Sequence, residues 1–374
     1  MKLLRIVLTV CLAIPFAARA QQYPTKPVRL LIGYAAGSST DIVGRVMADR
    51  LGAYWKQTVI VENRGGAAGN LAADAVAKAQ GDGYTLLFAQ NGLAISAAAL
   101  PNLPYSAERD LVPLAPVAAT PHILIVGPDF PAKNVQELIA RARASPGKLT
   151  FASSGVGNSD HLCGELFNMM AGIQAIHVPY KGGAPAVQDV IPGRVDYYFA
   201  GMPVGLPLAN SGRARALGVT SKQRFPAAPN VPTIAEQGLP QYEATLWQGF
   251  FAPASIERAL GARIARDVEA VLKQPETRAN LGKAGVALFE DDQANFTKFF
   301  QCTIQQAKIH DPRRLGEAQA VDWVMFTRQF ARELPAYTRQ SMDWVKGQEM
   351  FRYRALLPLS KIILNTKCRL MNRR

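Results

Sequence analysis

Short apolar, often β-branched runs alternate with segments of helical periodicity from Val28 to about residue 300. The run Val28–Gly33 predicts a buried strand, and the apolar positions between residues 42 and 51 recur at helical spacing. The same succession begins again at His122–Val126. Alternating strands and helices are typical of a fold with parallel sheets covered by helices, so we predict the α/β class.

Two turns of small residues occupy corresponding places in these two units. Residues 35–41 follow the first strand, and residues 154–161 follow the strand predicted at Leu149–Ala152. Each turn leads directly into a predicted helix. Open α/β sheets bind ligands beyond the carboxyl ends of their strands, so we expect both turns to lie at a ligand cleft.

The length of the chain and a late strand predict two domains. The chain has 374 residues, more than one ordinary domain needs. A strand at Thr245–Ala252 follows the second unit and suggests that the chain returns to the first domain. Crossings near residues 120 and 245 would form a double hinge. We expect domain 1 at residues 21–121 and 245–301, and domain 2 at residues 122–244.

The turns carry the chemistry that an anion requires. The first N–H groups of a helix have no acceptor within the helix, and the helix dipole favours a negative charge there. Neither turn contains lysine or arginine, so main-chain N–H groups and hydroxyls would hold the ligand. The alternative, that glycine and serine only form turns and caps, stays open. The candidates from the turns are Gly37, Ser38, Ser39, Thr40, Ser154, Gly155, Gly157, Asn158 and Ser159.

Three more polar residues are candidate ligand contacts. Asp41 could contact an ammonium or hydroxyl group of a ligand, but the sequence favours a role at the N-terminus of its own helix. His161 could bond a ligand or a neighbouring loop, and Asn91 follows the third predicted strand at the expected edge of the cleft.

Catalytic signatures are weak in this chain. Ser159, Asp160 and His161 are consecutive, whereas a catalytic triad converges from separate segments, and the GxSxG pattern is not matched. The four histidines are scattered without zinc-ligand spacing, and no phosphate-binding loop motif occurs, so no metal or cofactor is expected. We expect a protein that is not an enzyme. A secreted hydrolase using Ser159 is the alternative.

The N-terminal segment has the layout of a secretory signal peptide. Lys2 and Arg5 precede the apolar run Ile6–Ala18, and Ala18-Arg19-Ala20 is a small-x-small cleavage site. The run is too short to span a bilayer. We expect cleavage near Ala20, removal of residues 1–20, and a periplasmic mature protein.

The net charge of +14 is concentrated at the ends of the chain. Residues 302–374 contain 14 lysines and arginines against 6 acidic residues, whereas residues 21–301 contain 25 against 22. A nucleic-acid-binding domain would have a basic surface on its folded part. The nearly neutral body therefore predicts no nucleic-acid partner, and residues 302–374 form an atypical basic tail.

A series of motifs runs in order from about residue 23 to about 300: Tyr23-Pro24-x-Lys26-Pro27, Ala36-Gly37-x-x-x-Asp41, Val61-Glu62-Asn63-Arg64, Asp82-Gly83-Tyr84-Thr85, Ser153-Ser154-Gly155-x-Gly157-x-x-x-His161, His177-Val178-Pro179-Tyr180 and Gly193-Arg194-Val195-Asp196. Together they resemble one family, the substrate-binding proteins of tripartite tricarboxylate transporters (Bug or TctC type). The resemblance implies a periplasmic binding protein type II-like fold, with two α/β domains around a ligand cleft, and no catalysis. It also implies a small di- or tricarboxylate, acidic amino acid or aromatic acid as ligand, held between residues 35–41 and 154–161. A monomer, with a membrane component of such a transporter as partner, is expected.

The chain departs from the family pattern in the second turn and at its end. Asn158 stands where a serine is expected, and Asp160 adds a carboxylate that should weaken purely anionic ligands and favour an amino group or a neutral ring. Family chains usually finish near residue 325, whereas this chain runs on to Arg374. A frameshift or fusion would explain the tail, so a non-functional product is a further alternative.

Overall fold

Nine strands and ten α-helices make up the part of the chain that the computed structural model describes, residues 23–100 and 102–309. The predicted signal peptide, residues 1–20, and residues 310–374 of the predicted tail lie outside the described residues. The predicted alternation of strands and helices is confirmed. None of the described helices is long and apolar enough to cross a membrane.

The strands are β1 (Val28–Ile32), β2 (Val59–Asn63), β3 (Thr85–Gln90), β4 (Leu111–Val126), β5 (Thr150–Ser153), β6 (Ile176–Pro179), β7 (Tyr197–Gly201), β8 (Arg215–Val219) and β9 (Thr245–Pro253). The helices are α1 (Ser39–Trp55), α2 (Asn70–Ala77), α3 (Gly92–Ala99), α4 (Val135–Ala144), α5 (Ser159–Ala171), α6 (Gly183–Val190), α7 (Met202–Asn210), α8 (Arg258–Lys273), α9 (Pro275–Lys283) and α10 (Gln293–Ile309).

The strand order is the same in the two halves of the sheet. In the first half β1 lies between β2 and β3, parallel to both, and β3 pairs antiparallel with β9. In the second half β5 lies between β6 and β7, parallel to both, and β7 pairs antiparallel with β4. Strands β1 and β5 therefore hold equivalent central positions, and the turns that follow them lie at equivalent edges.

Strand β4 belongs to both halves. Its segment from Leu111 to Pro121 pairs with β9, and its segment from His122 to Val126 pairs with β7 and β8. The sequence pattern predicts only the second segment, because prolines disfavour strand interiors. The strand accommodates Pro113 and Pro116 through register shifts beside them.

Hydrophobic clusters cover both faces of each half of the sheet. Helix α10 closes one face of the first half and continues to Ile309, beyond the expected start of the basic tail at residue 302. Its buried residues pack around Trp247 of β9 and against α3. They are Phe296, Phe299, Phe300 and Ile304.

The contribution of α10 to stability can be measured by replacing isoleucine with alanine at a buried site in α10 and at an exposed control site. Ile304 is fully buried, so Ile304→Ala should lower the free energy of unfolding by about 2–5 kcal/mol through the lost apolar contacts and the cavity. Ile60 is 44% exposed, so Ile60→Ala should cost clearly less. Urea unfolding of both variants checks this. Equal losses would contradict the packing of α10 described above.

Candidate functional site

The first small-residue turn is held by hydrogen bonds to side chains one helical turn further on. Gly37 has a φ of +77°, which favours glycine, and its N–H donates to Asp41 Oδ2 at 2.8 Å. Ser38 is the N-cap of α1, and its hydroxyl accepts from the Asp41 N–H at 3.2 Å. Asn63 and Arg45 also donate to the Asp41 carboxylate. The loop can therefore hold a fixed conformation.

The second turn repeats this conformation. Gly157 has a φ of +81°, and its N–H donates to His161 Nδ1 at 3.1 Å. Asn158 is the N-cap of α5, with φ −77° and ψ 164°, against φ −71° and ψ 160° at Ser38. Asp41 and His161 thus occupy equivalent positions, and each accepts a hydrogen bond from the glycine N–H of its own turn. Gly37 corresponds to Gly157, and Thr40 corresponds to Asp160.

The N-termini of α1 and α5 border one cavity between the two halves. The space between atoms there measures about 290 Å³, a figure that includes open solvent at the mouth of the cavity. Among the described residues, no lysine or arginine lines it. The lining residues are Tyr34, Ser38, Ser39, Thr40, Gln90, His122, Ser154, Ser159, Asp160, Gly183, Tyr198, Gly201 and Leu246.

Five of the predicted ligand-binding residues line this cavity: Ser38, Ser39, Thr40, Ser154 and Ser159. The Thr40 hydroxyl already donates to Gln90 Oε1 and accepts from Gln248 Nε2. The Ser154 side chain is hydrogen-bonded to Asp160. The hydroxyls of Ser38, Ser39 and Ser159 and the N–H groups at the first positions of the two helices are therefore the main donors that the cavity offers.

The other predicted residues hold the framework around the cavity. Asp41 and His161 bind the glycine N–H groups of their own turns, as described above. Asn91 donates to the Thr245 carbonyl and accepts from the Trp247 N–H, and so fixes the start of β9. The Asn158 amide donates to the Ser154 carbonyl at 3.1 Å. The remaining three, Gly37, Gly155 and Gly157, have positive φ and shape the turns.

Sequence reasoning missed several residues of the lining. Tyr34 lies two residues after β1, Gln90 ends β3 and Gly201 ends β7. The carboxyl-terminal ends of neighbouring strands were the signal that could have identified these three. His122 and Tyr198 carry no such signal, because they lie inside strands and only the pairing of β4 with β7 places them at the cavity.

Among the described residues that line the cavity, Asp160 is the one ionisable carboxylate, and it is buried. Its Oδ2 accepts from the Ser154 N–H at 2.7 Å and from the Tyr198 hydroxyl at 3.0 Å, and its Oδ1 accepts from the His161 N–H. Burial raises the pKa of Asp160, and a hydrogen bond from the Ser154 side chain opposes that rise together with the three bonds just named. The carboxylate therefore occupies donors that an anionic ligand could otherwise use.

Contacts across the cavity bring the two halves close together. The Tyr34 hydroxyl lies 3.3 Å from Asn158 Oδ1 and donates to the Ala68 carbonyl at 3.0 Å. A methyl group added at Gly201 would lie 2.1 Å from Ser39 Oγ. Only glycine at this position lets α1 approach α7 so closely.

A sequence model described as "Tripartite tricarboxylate transporter family receptor" matches residues 43–310. The chain belongs to this family. The family is one of periplasmic solute-binding proteins, and the predicted family is thereby confirmed. BugT of Bordetella pertussis is 36% identical over 256 residues, which are 68% of this chain and 78% of BugT.

Solved structures of the family confirm the predicted fold class. The periplasmic binding protein BugD is 30% identical, with a TM-score of 0.73 over 76% of this chain and 96% of BugD. An R. palustris protein solved with adipate is 29% identical, with a TM-score of 0.73 over 83% of this chain and 98% of that protein. MatC of Rhodopseudomonas palustris, solved with bound malate, is 28% identical, with a TM-score of 0.72 over 76% of this chain and 99% of MatC.

Two buried histidines around the site should make stability depend on pH. Burial lowers the pKa of His122 to about 3, and burial together with the neighbouring His161 lowers that of His177 to about 2. Below about pH 6.5 the unfolded chain binds protons that the folded chain does not, so their contribution to stability is lost as the pH falls. Between about pH 6.5 and 5.5 the free energy of unfolding should fall by about 2 kcal/mol.

The comparison is made in an Asp160→Asn background, because the raised pKa of Asp160 acts in the opposite direction. Replacing His177 as well, by His177→Gln, should reduce the fall by about half. Urea unfolding at the two pH values measures both slopes. Identical slopes with and without His177 would show that this histidine does not stay neutral in the folded state.

Proposed function

We propose that this protein captures a small organic carboxylate between its two halves and does not alter it chemically. The observation that carries the proposal is the pair of equivalent turns, which direct the N-termini of α1 and α5 at one cavity. The ligand carboxylate would accept from the main-chain N–H groups there and from the hydroxyls of Ser39 and Ser159. The adipate and malate found with two structural relatives support this class of ligand.

The predicted domains give a route for capture. Residues 21–121 with 245–301 would form one domain and residues 122–244 the other, with hinges where the chain passes between them. The change of pairing partner within β4, after Pro121, supports one of these hinges. Closure would be driven by contacts that the ligand makes with both domains at once.

The cellular setting follows from the family and the N-terminal sequence. Export with cleavage near Ala20 would deliver a monomer to the periplasm. There it would pass its solute to the membrane component of a tripartite transporter. The small net charge of residues 21–301 supports a small-molecule ligand and no nucleic-acid partner.

A hydrolase using Ser159 is favoured by one contact, since Ser159 Oγ lies 3.1 Å from His122 Nε2. A triad needs a third group that accepts from the other ring nitrogen, and here the neighbour of Nδ1 is the Cys163 thiol at 3.5 Å. A general base also works best with a pKa near the working pH, whereas burial lowers that of His122 to about 3. Binding without catalysis therefore fits the site better.

A thermal-shift screen with adipate, malate, citrate, aspartate and benzoate tests the proposal. A ligand at about 100 times its Kd adds about 2.7 kcal/mol to stability, so one of these acids should raise the melting temperature clearly. Ser159→Ala removes a hydroxyl donor to a charged group and should weaken binding about tenfold or more. Ser211→Ala, at an exposed position, is the matched control.

Failure of every carboxylate to shift a cooperative melting transition would contradict the proposed class of ligand. Turnover of an ester substrate that Ser159→Ala abolishes would establish the hydrolase instead. The absence of any cooperative transition would favour the non-functional product.

Asp160 should set which carboxylates bind. A buried carboxylate repels an anionic ligand unless one of the two takes up a proton or the ligand brings a cation. Asp160→Asn should therefore strengthen binding of adipate and lower the affinity for aspartate relative to that for malate. In the original protein, adipate affinity should rise as the pH falls from about 8 to 6, and in Asp160→Asn it should not. Calorimetric titration at both pH values measures this. An unchanged order of affinities would contradict it.

Closure depends on Gly201. A methyl group there would overlap Ser39 Oγ, so Gly201→Ala should hold the halves apart and weaken binding of any carboxylate found in the screen. A methyl group at Gly282 would meet nothing within 4 Å, so Gly282→Ala is the matched control. Small-angle X-ray scattering should show a smaller radius of gyration with ligand in the control. Equal compaction in Gly201→Ala would argue against closure through this contact.

A further inference from the structure

Three buried side chains form a line that ends at the cavity. Cys163 Sγ lies 3.5 Å from His122 Nδ1, and His122 Nε2 lies 3.1 Å from Ser159 Oγ. Ser159 and Cys163 stand four residues apart on α5 and therefore share one face of the helix. His122 comes from β4, where its main-chain N–H donates to Thr220 Oγ1 at 2.8 Å. The sequence predicts none of these contacts.

We propose that His122 is a positioning residue that directs the Ser159 hydroxyl proton into the cavity. In this arrangement the imidazole is neutral, carries its proton on Nε2 and donates it to Ser159 Oγ. The Cys163 thiol donates to Nδ1. Ser159 then accepts from His122 and keeps its own proton for an oxygen atom in the cavity.

The neighbour of Nδ1 decides between the two neutral forms of the ring. A carboxylate there would hold the proton on Nδ1 and leave Nε2 to accept from serine, as in a catalytic triad. A thiol is a weak acceptor but can donate. Burial raises the pKa of Cys163, and the charge of Asp160 adds to the effect, so the thiol keeps its proton. With the proton on Nε2, the strong N–H donor of the ring faces an oxygen instead of a sulfur.

The direction of the Ser159 proton matters because of Asp160. That carboxylate already takes the Ser154 N–H and the Tyr198 hydroxyl, which reduces the donors left at the second turn. A Ser159 hydroxyl that donated to His122 would present only lone pairs to a ligand anion. When His122 donates to Ser159 Oγ, the Ser159 hydroxyl directs its own proton into the cavity and adds one donor beside the N-terminus of α5. This second part rests on the proposed carboxylate binding, whereas the form of the ring does not.

The tautomer of the His122 ring, with its proton on Nε2 or on Nδ1, can be measured without any ligand. In protein labelled with nitrogen-15 in its histidines, long-range proton–nitrogen correlation spectra distinguish a protonated Nε2 from a protonated Nδ1. The His122 signals are assigned by their loss in His122→Gln. We expect the Nε2-protonated form, and Cys163→Ala should move the two nitrogen shifts towards each other. A proton on Nδ1 would overturn the proposal, and unchanged shifts in Cys163→Ala would overturn the part assigned to the thiol.

Binding of a carboxylate from the screen then tests the consequence. His122→Leu should weaken binding about as much as Ser159→Ala, and the double variant should be no weaker than either, because both changes remove the same donor. His122→Gln can place an amide N–H near the former Nε2 and should restore part of the affinity. Additive losses would show that His122 acts independently of Ser159. If no acid binds, the proposed function fails, while the spectra still decide the form of the ring.

Discussion

The structure depends on two glycine N–H groups that are held by side chains one helical turn away. Asp41 binds the N–H of Gly37, and His161 binds the N–H of Gly157. Each bond fixes a turn that needs a positive φ, and each turn starts a helix at the cavity. Asp41 and His161 thereby fix the two turns. The unpaired N–H groups at the N-termini of α1 and α5 are therefore held facing the space between the halves.

The arrangement of the strands brings these two helix ends together. Each half has a central strand, β1 or β5, with a parallel neighbour on each side, and an antiparallel strand beyond one of them. Strand β4 runs through both halves and sets their relative position. Short contacts such as Gly201 with Ser39 are therefore consequences of the pairing, and they require small residues where the halves approach.

In the part of the chain that the structure describes, the electrostatic character of the cavity comes from neutral donors and one buried carboxylate, Asp160. The described lining contains no lysine or arginine, so main-chain N–H groups and hydroxyls supply the attraction for an anion. Asp160 opposes it and uses two of the donors. Selectivity among carboxylates then depends on how a ligand satisfies Asp160 and Ser159, which stand side by side at the start of α5.

The sequence by itself determined the α/β alternation, the two corresponding turns and the family, because these depend on residues within a few positions of one another. It also favoured a role for Asp41 at the N-terminus of its own helix, and in the structure the Asp41 carboxylate accepts from the Gly37 N–H of the preceding turn. Only the tertiary structure decided which polar residues meet in the cavity. Tyr34, His122 and Tyr198 come from distant segments, and strand pairing places them. Local patterns report local conformation, whereas a cleft is built from contacts that no short stretch of sequence contains.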